Sequence, residues 1–474
     1  ILTYVWYASE IKIILKGFGG YMTELQKSND PLAEDDQLSS NMRKVAITAL
    51  AGTSIEWYDF FLYATAAALV FPAVFFPDSD PTMGLILSFG TFAFGFIARP
   101  IGGILFGHFG DRVGRKKTLV IALVLMGVAS TLIGLMPTYA TIGIAAPILL
   151  TILRFVQGLA IGGQWGGAML LVTESAPADK RGYYGAYAQA GAPVGVILAN
   201  LAFILISSLV SEEFFQAWGW RIPFILSVIL IGISMYIQLN VEDTEAFREL
   251  EAARKERLKN SVVEPSVSRS PVLEAITKYP KRITLAAGAF LSVQVNFYIL
   301  ISFILAFGSD PTGGGMSRDT VLIAVLISSA IMVVVQFWAS AYSDRHGRRG
   351  IFILGAALTG LSAFALFPLV STGNFWLSVL GISAGLSFVG MMYGPQAAFF
   401  TELFSTEVRY SGASLGYQLG AIVGGAFAPA IATFLRAEYS VFWVAVYMAF
   451  ASILTIISVA SLSETYKTSL TEEN

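Results

Sequence analysis

Long runs of apolar residues, broken by glycine, proline or charge, dominate the chain. A helix that crosses a bilayer needs about 20 predominantly apolar residues, and twelve stretches of that order occur here. They fall at residues 45–75, 83–108, 118–138, 143–175, 183–210, 221–240, 283–307, 318–341, 351–371, 375–402, 411–435 and 440–462. This pattern predicts an all-α membrane protein with twelve transmembrane helices.

The widest interruption of the pattern separates six predicted helices from six. Residues 241–282 are strongly charged and contain nine Lys and Arg residues. We therefore predict a tail at 1–42, a six-helix half at 43–240, a cytoplasmic linker at 241–282, a second six-helix half at 283–465 and a tail at 466–474. Because Met22 opens a polar stretch, we expect residues 1–21 to be non-native sequence or a surface helix.

The basic residues predict the orientation, since loops rich in Lys and Arg stay in the cytoplasm. One predicted face carries the basic residues at 43–44, 112–117, 180–181, 241–282 and 345–349. The other face is expected to hold only Arg221, Arg318 and Arg436. We therefore expect a multi-pass protein of the plasma membrane with both termini inside.

Composition narrows the class of protein further. Hydrophobic residues make up 55% of the chain and charged residues 13%, whereas soluble domains carry roughly 25% charge. A net charge of -2 argues against a nucleic-acid partner. The absence of cysteine and the presence of only two histidines argue against disulfides and metal or haem sites. The sequence has no phosphate-binding loop of the G-x-x-x-x-G-K-[ST] type and no nucleophile turn, so we expect neither an enzyme nor a cofactor.

Two motifs recur in equivalent places in the two predicted halves. The run from Asp111 to Lys116 after the second helix matches the run from Asp344 to Arg349 after the eighth. Glu174 precedes Arg181 by seven positions, and Glu402 precedes Arg409 by the same number. Duplicated halves around a central cavity are typical of secondary transporters.

These motifs carry a resemblance to a known family. The loop at Gly107–Lys116 resembles the signature of the major facilitator superfamily, as does the Arg154-x-x-Gln157-Gly158 pattern. Five further stretches are similar to its metabolite:proton symporter family: EWYDF at 56–60, RPIGG at 99–103, GGQWGG at 162–167, ESAP at 174–177 and WGWRIPF at 218–224. The resemblance covers about residues 43–465.

The resemblance implies proton-coupled transport of a metabolite by alternating access. That family includes permeases for shikimate, α-ketoglutarate, citrate and proline or betaine. The stretches at 146–150 and 409–418 are most similar to shikimate permeases, which implies import of shikimate or a similar hydroxy acid by a monomer. The alternatives are a symporter for α-ketoglutarate or citrate, a proline/betaine symporter and, in another class, a membrane enzyme, scaffold or receptor without transport activity.

Ionisable residues within a span need a partner or a water-filled cavity, because burying them in a bilayer costs several kcal/mol. Glu56 and Asp59 are three residues apart and therefore lie on nearly the same face of the first helix. One of them is expected to carry the coupled proton, with Arg154 as its counter-charge. The other interpretation is a static ion pair that closes the bundle.

Arg99 is the candidate for binding an anionic substrate, since a guanidinium fork binds a carboxylate through two hydrogen bonds. It could instead pair with Glu56 or Asp59 and never meet the substrate. We expect hydroxyl and ring contacts from Tyr58, Gln157, Gln164, Trp165, Tyr393 and Gln396. Gln164 departs from the family, in which many relatives carry Glu, and puts a carboxylate role at that position in doubt.

The recurring loops predict gates, as the resemblance to the superfamily implies. The expected gating residues are Asp111, Arg112, Arg115, Glu174, Arg181, Asp344, Arg345, Arg348, Glu402 and Arg409. The other interpretation, a basic anchor on the cytoplasmic face, explains the Lys and Arg residues but leaves Asp111 unexplained.

Overall fold

The computed structural model describes residues 31–113, 115–162, 169, 172–173, 175–242, 277–404 and 409–467. Within these ranges the side chains of 31–41, 107–113, 115–116, 119, 237–242 and 409–411 are not described.

The described residues form long helices, which we number α1 to α12. They are α1 Pro31–Leu69, α2 Pro81–Val113, α3 Arg115–Leu135, α4 Ala145–Gly162, α5 Arg181–Leu209, α6 Ile222–Glu242, α7 Pro280–Ser309, α8 Arg318–His346, α9 Arg348–Ser371, α10 Phe375–Glu402, α11 Arg409–Glu438 and α12 Val441–Ala460. Short helical turns at Phe71–Phe75, Tyr139–Ile142, Ala178–Lys180, Glu212–Ala217 and Gly219–Arg221 join some of them.

The helices match the twelve predicted stretches and confirm the all-α membrane fold. In the described part of the chain, ten helices are long and apolar enough to cross a membrane, and Val120–Leu135 in α3 is a shorter apolar helix. The remaining helix, α1, carries Glu56 and Asp59 in its apolar part. The described part of α1, Pro31–Leu69, includes residues of the predicted tail as well as the first predicted span. Most of the predicted linker, and residues 1–21, lie outside the described residues.

Two helices of the second half change their winding near the centre of the bundle. In α7 an α-helix ends at Tyr298, a π-helical turn spans Ile299–Phe303, and the α-helix resumes at Ile304. In α11 a π-helical turn spans Ala421–Ala426. Such turns are uncommon and often accompany functional sites.

Glycine brings α2 and α4 into backbone contact. A Cβ atom added to Gly158 would overlap the carbonyl oxygen of Gly95, and one added to Gly162 would overlap that of Arg99. Small residues permit this approach, which is a common way for membrane helices to pack. As a result, Arg99 on α2 and Arg154 on α4 emerge beside the same part of α1.

Candidate functional site

A small cavity of about 10 Å³ lies between the halves, with room for about one water molecule. The residues that line it are Trp57, Ala192, Phe290, Val293, Gln294, Phe297, Tyr298, Tyr393 and Tyr417. They come from α1, α5, α7, α10 and α11, so both halves contribute. Aromatic rings and one amide dominate the lining, and none of these described residues is acidic.

Arg99 lies beside this cavity and is held by aromatic rings. Its Cζ atom lies 4.3 Å from the ring centroid of Phe60, 4.4 Å from that of Phe96 and 5.4 Å from that of Trp57. The guanidinium interacts electrostatically with Tyr298 and Tyr417 of the second half. Its side chain is buried, and its Nε and Nη2 atoms have no hydrogen-bond partner among the described residues. Arg99 thus presents donors without a carboxylate partner.

Asp59 is buried within the first half and is not among the residues that line this cavity. Its Oδ2 atom accepts a short hydrogen bond from Ser130 on α3 and a 3.2 Å hydrogen bond from Gln157 on α4. The Oδ1 atom has no partner among the described residues. Glu56 is half-buried on the same helix and has its own polar contact. Of the two carboxylates, Asp59 is the one surrounded by protein.

Arg154 reaches Asp59 through Gln157. Its Nη1 atom donates to Gln157 Oε1 at 3.0 Å, and the Gln157 amide nitrogen donates to Asp59 Oδ2. The described residues show no direct ion pair between Arg154 and Asp59. The guanidinium instead lies over the rings of Phe60, Tyr63 and Phe92, with Cζ-to-centroid distances of 4.1, 4.3 and 4.7 Å.

The residues predicted to contact the substrate do not all lie at the cavity. Tyr393 lines the cavity, and its carbonyl accepts a 3.3 Å hydrogen bond from Gln189 of the other half. Tyr58 donates its hydroxyl to the carbonyl of Pro223 at 3.1 Å, and Gln157 belongs to the Asp59 network. Gln396 is buried, and both atoms of its amide group lack a partner among the described residues. Gln164 and Trp165 lie outside the described residues.

Among the described residues that line the cavity, Tyr393 is the one predicted from the sequence as a substrate contact. Trp57 belongs to the EWYDF stretch at 56–60 and Tyr417 to the stretch at 409–418, and Gln294 and Tyr298 are polar residues in a predicted span. In the structure, Tyr298 is marked by the break in helical winding that follows it. That break depends on packing and is not written in the hydrophobic pattern.

A buried ionic cluster joins the halves at the end of the bundle that carries the predicted gates, which we call the basic end. Arg181 of α5 donates to Glu402 of α10 at 3.0 Å, and Arg348 of α9 contacts Glu402 at 3.2 Å and Asp344 of α8 at 2.6 Å. Asp344 also accepts from the backbone nitrogens of Gly182 and Tyr183, at 2.7 and 2.8 Å. A carboxylate at a helix amino terminus is stabilised by the helix dipole, so Asp344 caps α5 of the opposite half.

The remaining predicted gating residues do not belong to the described part of this ionic cluster. Arg345 is exposed and lies outside the ionic cluster. The side chains of Asp111, Arg112, Arg115 and Arg409, and all of Glu174, lie outside the described residues.

The segment that follows α12 adds two contacts that were not predicted from the sequence. Thr465 donates to Glu402 at 2.7 Å. Glu464 accepts from the backbone nitrogens of Arg348 and Arg349 at the start of α9, at 2.8 and 3.0 Å.

The opposite end of the bundle is also bridged. Arg318 at the start of α8 donates from Nη1 and Nη2 to the two carboxylate oxygens of Glu212, at 3.0 and 2.9 Å. Its guanidinium lies 3.9 Å from the ring centroid of Phe215. Ser207 of α5 donates to Asp319 of α8 at 3.0 Å. The halves therefore touch at both ends around a contracted centre.

The chain is similar to known transport proteins. It matches the family described as Major Facilitator Superfamily at residues 49–416 and 315–473. It is 42% identical to the inner membrane metabolite transport protein YhjE of Escherichia coli, over 91% of this chain and 96% of that protein. It is 38% identical to the shikimate transporter of E. coli (86% and 92%) and 32% identical to the proline/betaine transporter of Salmonella typhimurium (90% and 84%).

Solved structures share the fold. The proton:xylose symporter XylE bound to 6-bromo-6-deoxy-D-glucose superposes with a TM-score of 0.68 at 18% identity, over 91% of this chain and 98% of that one. A partially occluded inward open conformation of the E. coli xylose transporter XylE gives 0.67 at 18% identity, over 91% and 100%. At this identity the likeness concerns the fold alone.

Proposed function

Because the chain belongs to the Major Facilitator Superfamily, we propose that it imports a small carboxylated metabolite together with protons by alternating access. It is a multi-pass membrane transporter of the inner-membrane kind and not an enzyme, as its relatives are transporters. Shikimate or a similar ring hydroxy acid is the substrate we propose. We also propose that it works as a monomer, with the basic end facing the cytoplasm because Lys and Arg concentrate there.

The observation that carries the substrate proposal is Arg99, a buried cation beside a cavity of aromatic rings, whose Nε and Nη2 atoms have no hydrogen-bond partner in the described part of the chain. In a state in which this contracted centre is open, a carboxylate would pair with the guanidinium fork, and the apolar face of the substrate ring would lie against Trp57 or Tyr298. Gln294, Tyr393 and Tyr417 offer partners for hydroxyl groups. A single cation favours a monocarboxylate over α-ketoglutarate or citrate, because further carboxylates would be buried without a counter-charge.

A zwitterion such as betaine is the second candidate. An aromatic cage is a known binding site for quaternary ammonium groups, and the cavity lining has that character. A primary or secondary ammonium would lack a carboxylate partner among the described lining residues. The 32% identity to a proline/betaine transporter supports the same candidate.

The proton proposal rests on the charges of the first half. Among the described residues of this half, Asp59, Arg99 and Arg154 are the charged groups buried near its centre. These three carry a net charge of +1 when Asp59 is ionised and +2 when it is protonated. An anionic substrate binds more strongly when Asp59 is protonated, because the negative charge of an ionised Asp59 would repel it across a low-dielectric interior. Proton and anion then favour each other's binding, as symport requires. We propose Asp59 as the proton carrier rather than Glu56.

The experiment is a thermal-shift panel of shikimate, quinate, α-ketoglutarate, citrate, proline and betaine on the purified protein, since a ligand that binds only the native state stabilises it. Shikimate or quinate should raise the melting temperature. The methyl ester of shikimate tests the role of charge. Arg99→Gln should weaken the acid by at least about tenfold and leave the weak ester unchanged. Stabilisation by betaine alone would favour the second candidate, and equal losses for acid and ester would assign Arg99 to packing.

A further inference from the structure

We propose that the ring of Phe60 couples the substrate site to the proton site, because it is the surface over which both buried guanidinium groups lie. The inference rests on the proposed function, with Arg99 as the anion-binding group and Asp59 as the proton carrier. Phe60 would act as a positioning residue, since it carries no charge and lies outside the cavity lining.

The geometry singles out this ring. The Cζ atoms of Arg99 and Arg154 lie 4.3 and 4.1 Å from the centroid of Phe60. Among the described rings over which these cations lie, the others each serve one of them, and Tyr298 interacts electrostatically with both guanidinium groups. Phe96 and Trp57 contact Arg99, whereas Tyr63 and Phe92 contact Arg154.

The fold holds Phe60 in this place from several sides. Its ring packs against those of Phe92 and Phe96 on α2, at centroid distances of 5.1 and 5.4 Å, and against Tyr298 on α7 at 6.3 Å. Phe60 follows Asp59 directly, and successive helical residues project about 100° apart. One residue therefore faces α3 and α4 while the next faces α2 and the second half.

The backbone approach of α2 and α4 makes the sharing of one ring possible. A Cβ atom on Gly95 would lie 2.7 Å from Nε of Arg154, so only glycine leaves the path by which this side chain passes α2. The contact of Gly158 with Gly95 and of Gly162 with Arg99 fixes the two arginine-bearing helices in register.

The coupling follows from competition for the ring. A cation over an aromatic face is stabilised by the ring quadrupole, most strongly when it is desolvated. In the structure Arg154 donates to Gln157 while it lies over Phe60, so the two cations share the ring. When Asp59 is ionised, its charge draws Arg154 toward Gln157 and weakens the competition with Arg99 for the ring. When Asp59 is protonated that attraction is lost, so Arg154 settles over Phe60 and repels Arg99 toward the cavity. Protonation thus makes the anion-binding fork more available.

Other titratable and charged groups border this region and must be held constant. They are Glu56, Tyr58 and Tyr63 on α1, Arg99 on α2, Arg154 on α4, Tyr298 on α7, Tyr393 on α10 and Tyr417 on α11. By sequence, α3, α5 and α6 offer only apolar, hydroxyl and amide side chains at this level. The proposal is therefore tested with substitutions that change rings and leave every one of these groups in place.

The test measures the dissociation constant of shikimate at about pH 6 and about pH 8, two values on either side of neutral pH. The second ligand is the acid that raises the melting temperature most in the thermal-shift panel. Proton uptake on binding is recorded in weakly buffered detergent. Phe60→Leu removes the ring and keeps an apolar side chain, while Phe60→Tyr restores it. Phe92→Leu and Phe96→Leu are matched controls, because each removes a ring that serves one arginine.

Wild type should bind the acid more tightly at the lower pH and take up protons. In Phe60→Leu the ratio of the two dissociation constants should fall at least about threefold, and proton uptake should fall with it. Phe60→Tyr and both control variants should keep the ratio. An unchanged ratio in Phe60→Leu would overturn the proposal, as would an equal loss in all three leucine variants. If wild type itself shows no pH dependence and no proton uptake, the proposed proton coupling fails together with the role of Phe60.

Discussion

Arg181 and Glu402 form a buried ion pair between the two halves, with 3.0 Å between Nη1 and Oε1. The pair lies at the basic end, where Arg348 also reaches Glu402. Removing one partner from a buried pair leaves an uncompensated charge and costs about 3–5 kcal/mol. The state in which this end is closed therefore depends on Glu402.

Glu402→Gln should shift the protein toward opening at the basic end. The chain has no cysteine, so a single reporter can be introduced as Ala397→Cys, at a buried position where Gly185 of the opposite half packs. Maleimide labelling of this cysteine should accelerate at least about tenfold in Glu402→Gln, since even a fraction of the pair energy gives that factor.

Glu464→Gln provides the matched control for Glu402→Gln. Glu464 caps the start of α9 within the second half and does not join the halves. Labelling of Ala397→Cys should stay near the wild-type rate in this variant. An equal acceleration in both variants would mean that any loss of charge at this end loosens the bundle, and would remove the gating role of the Arg181–Glu402 pair.

The bridge at the opposite end should resist mild acid. The hydrogen bond from Gln216 is the largest influence and lowers the pKa of Glu212; burial opposes it, and the hydrogen bond and charge of Arg318 keep the pKa below its usual value. A carboxyl with a lowered pKa keeps its stabilising contact above its ordinary pKa and loses it only as the pH falls through the lowered value. Glu212 should therefore remain ionised from neutral pH down to about pH 5.

Spin labels at Ser208→Cys and Thr372→Cys, two exposed positions near that end, report the distance between the halves. The distance distribution should be the same at about pH 7 and about pH 5 and should broaden in Glu212→Gln at both values. A change between the two pH values that disappears in Glu212→Gln would make Glu212 a proton-responsive group and would contradict this prediction.

The close contact between α2 and α4 at Gly158 should make the melting temperature sensitive to a larger residue at that position. Gly158→Ala forces a Cβ atom against the carbonyl of Gly95, and overpacking of this kind costs about 1–3 kcal/mol. Gly90→Ala on α2 is the control, because a Cβ atom there meets nothing within 4 Å. The melting temperature should fall for Gly158→Ala and hold or rise for Gly90→Ala. Equal values for the two variants would show that the helices separate freely.

The hydrophobic pattern predicted the fold well because span length and charge placement act locally. Twelve stretches became twelve long helices, and the duplicated Asp344 and Arg348 motif lies in the cluster at the basic end. The prediction was less complete at the centre. The cavity is built from Gln294, Tyr298 and Tyr417, whose neighbourhood depends on the π-helical turns and on contact between the halves. Neither feature has a signature in hydrophobic periodicity.

The same limit applies to the buried charges. Sequence spacing placed Glu56 and Asp59 on one face, yet only Asp59 became fully buried, with Ser130 and Gln157 as partners. The position of Arg99 among aromatic rings came from three helices that meet in space. The contacts between these helices depend on tertiary packing. The sequence motifs therefore identified Arg99 as a candidate but did not predict which residues surround it.

If a proton bound at Asp59 drives accumulation of a carboxylate, the dependence should appear directly in transport. The measurement is uptake of shikimate into proteoliposomes under an imposed pH gradient. Wild type should accumulate shikimate above the external concentration and lose accumulation when a protonophore dissipates the gradient. Asp59→Asn should still exchange internal for external shikimate but should not accumulate it, whereas Glu56→Gln should behave like wild type. Gradient-driven accumulation at the wild-type level in Asp59→Asn would contradict the claim.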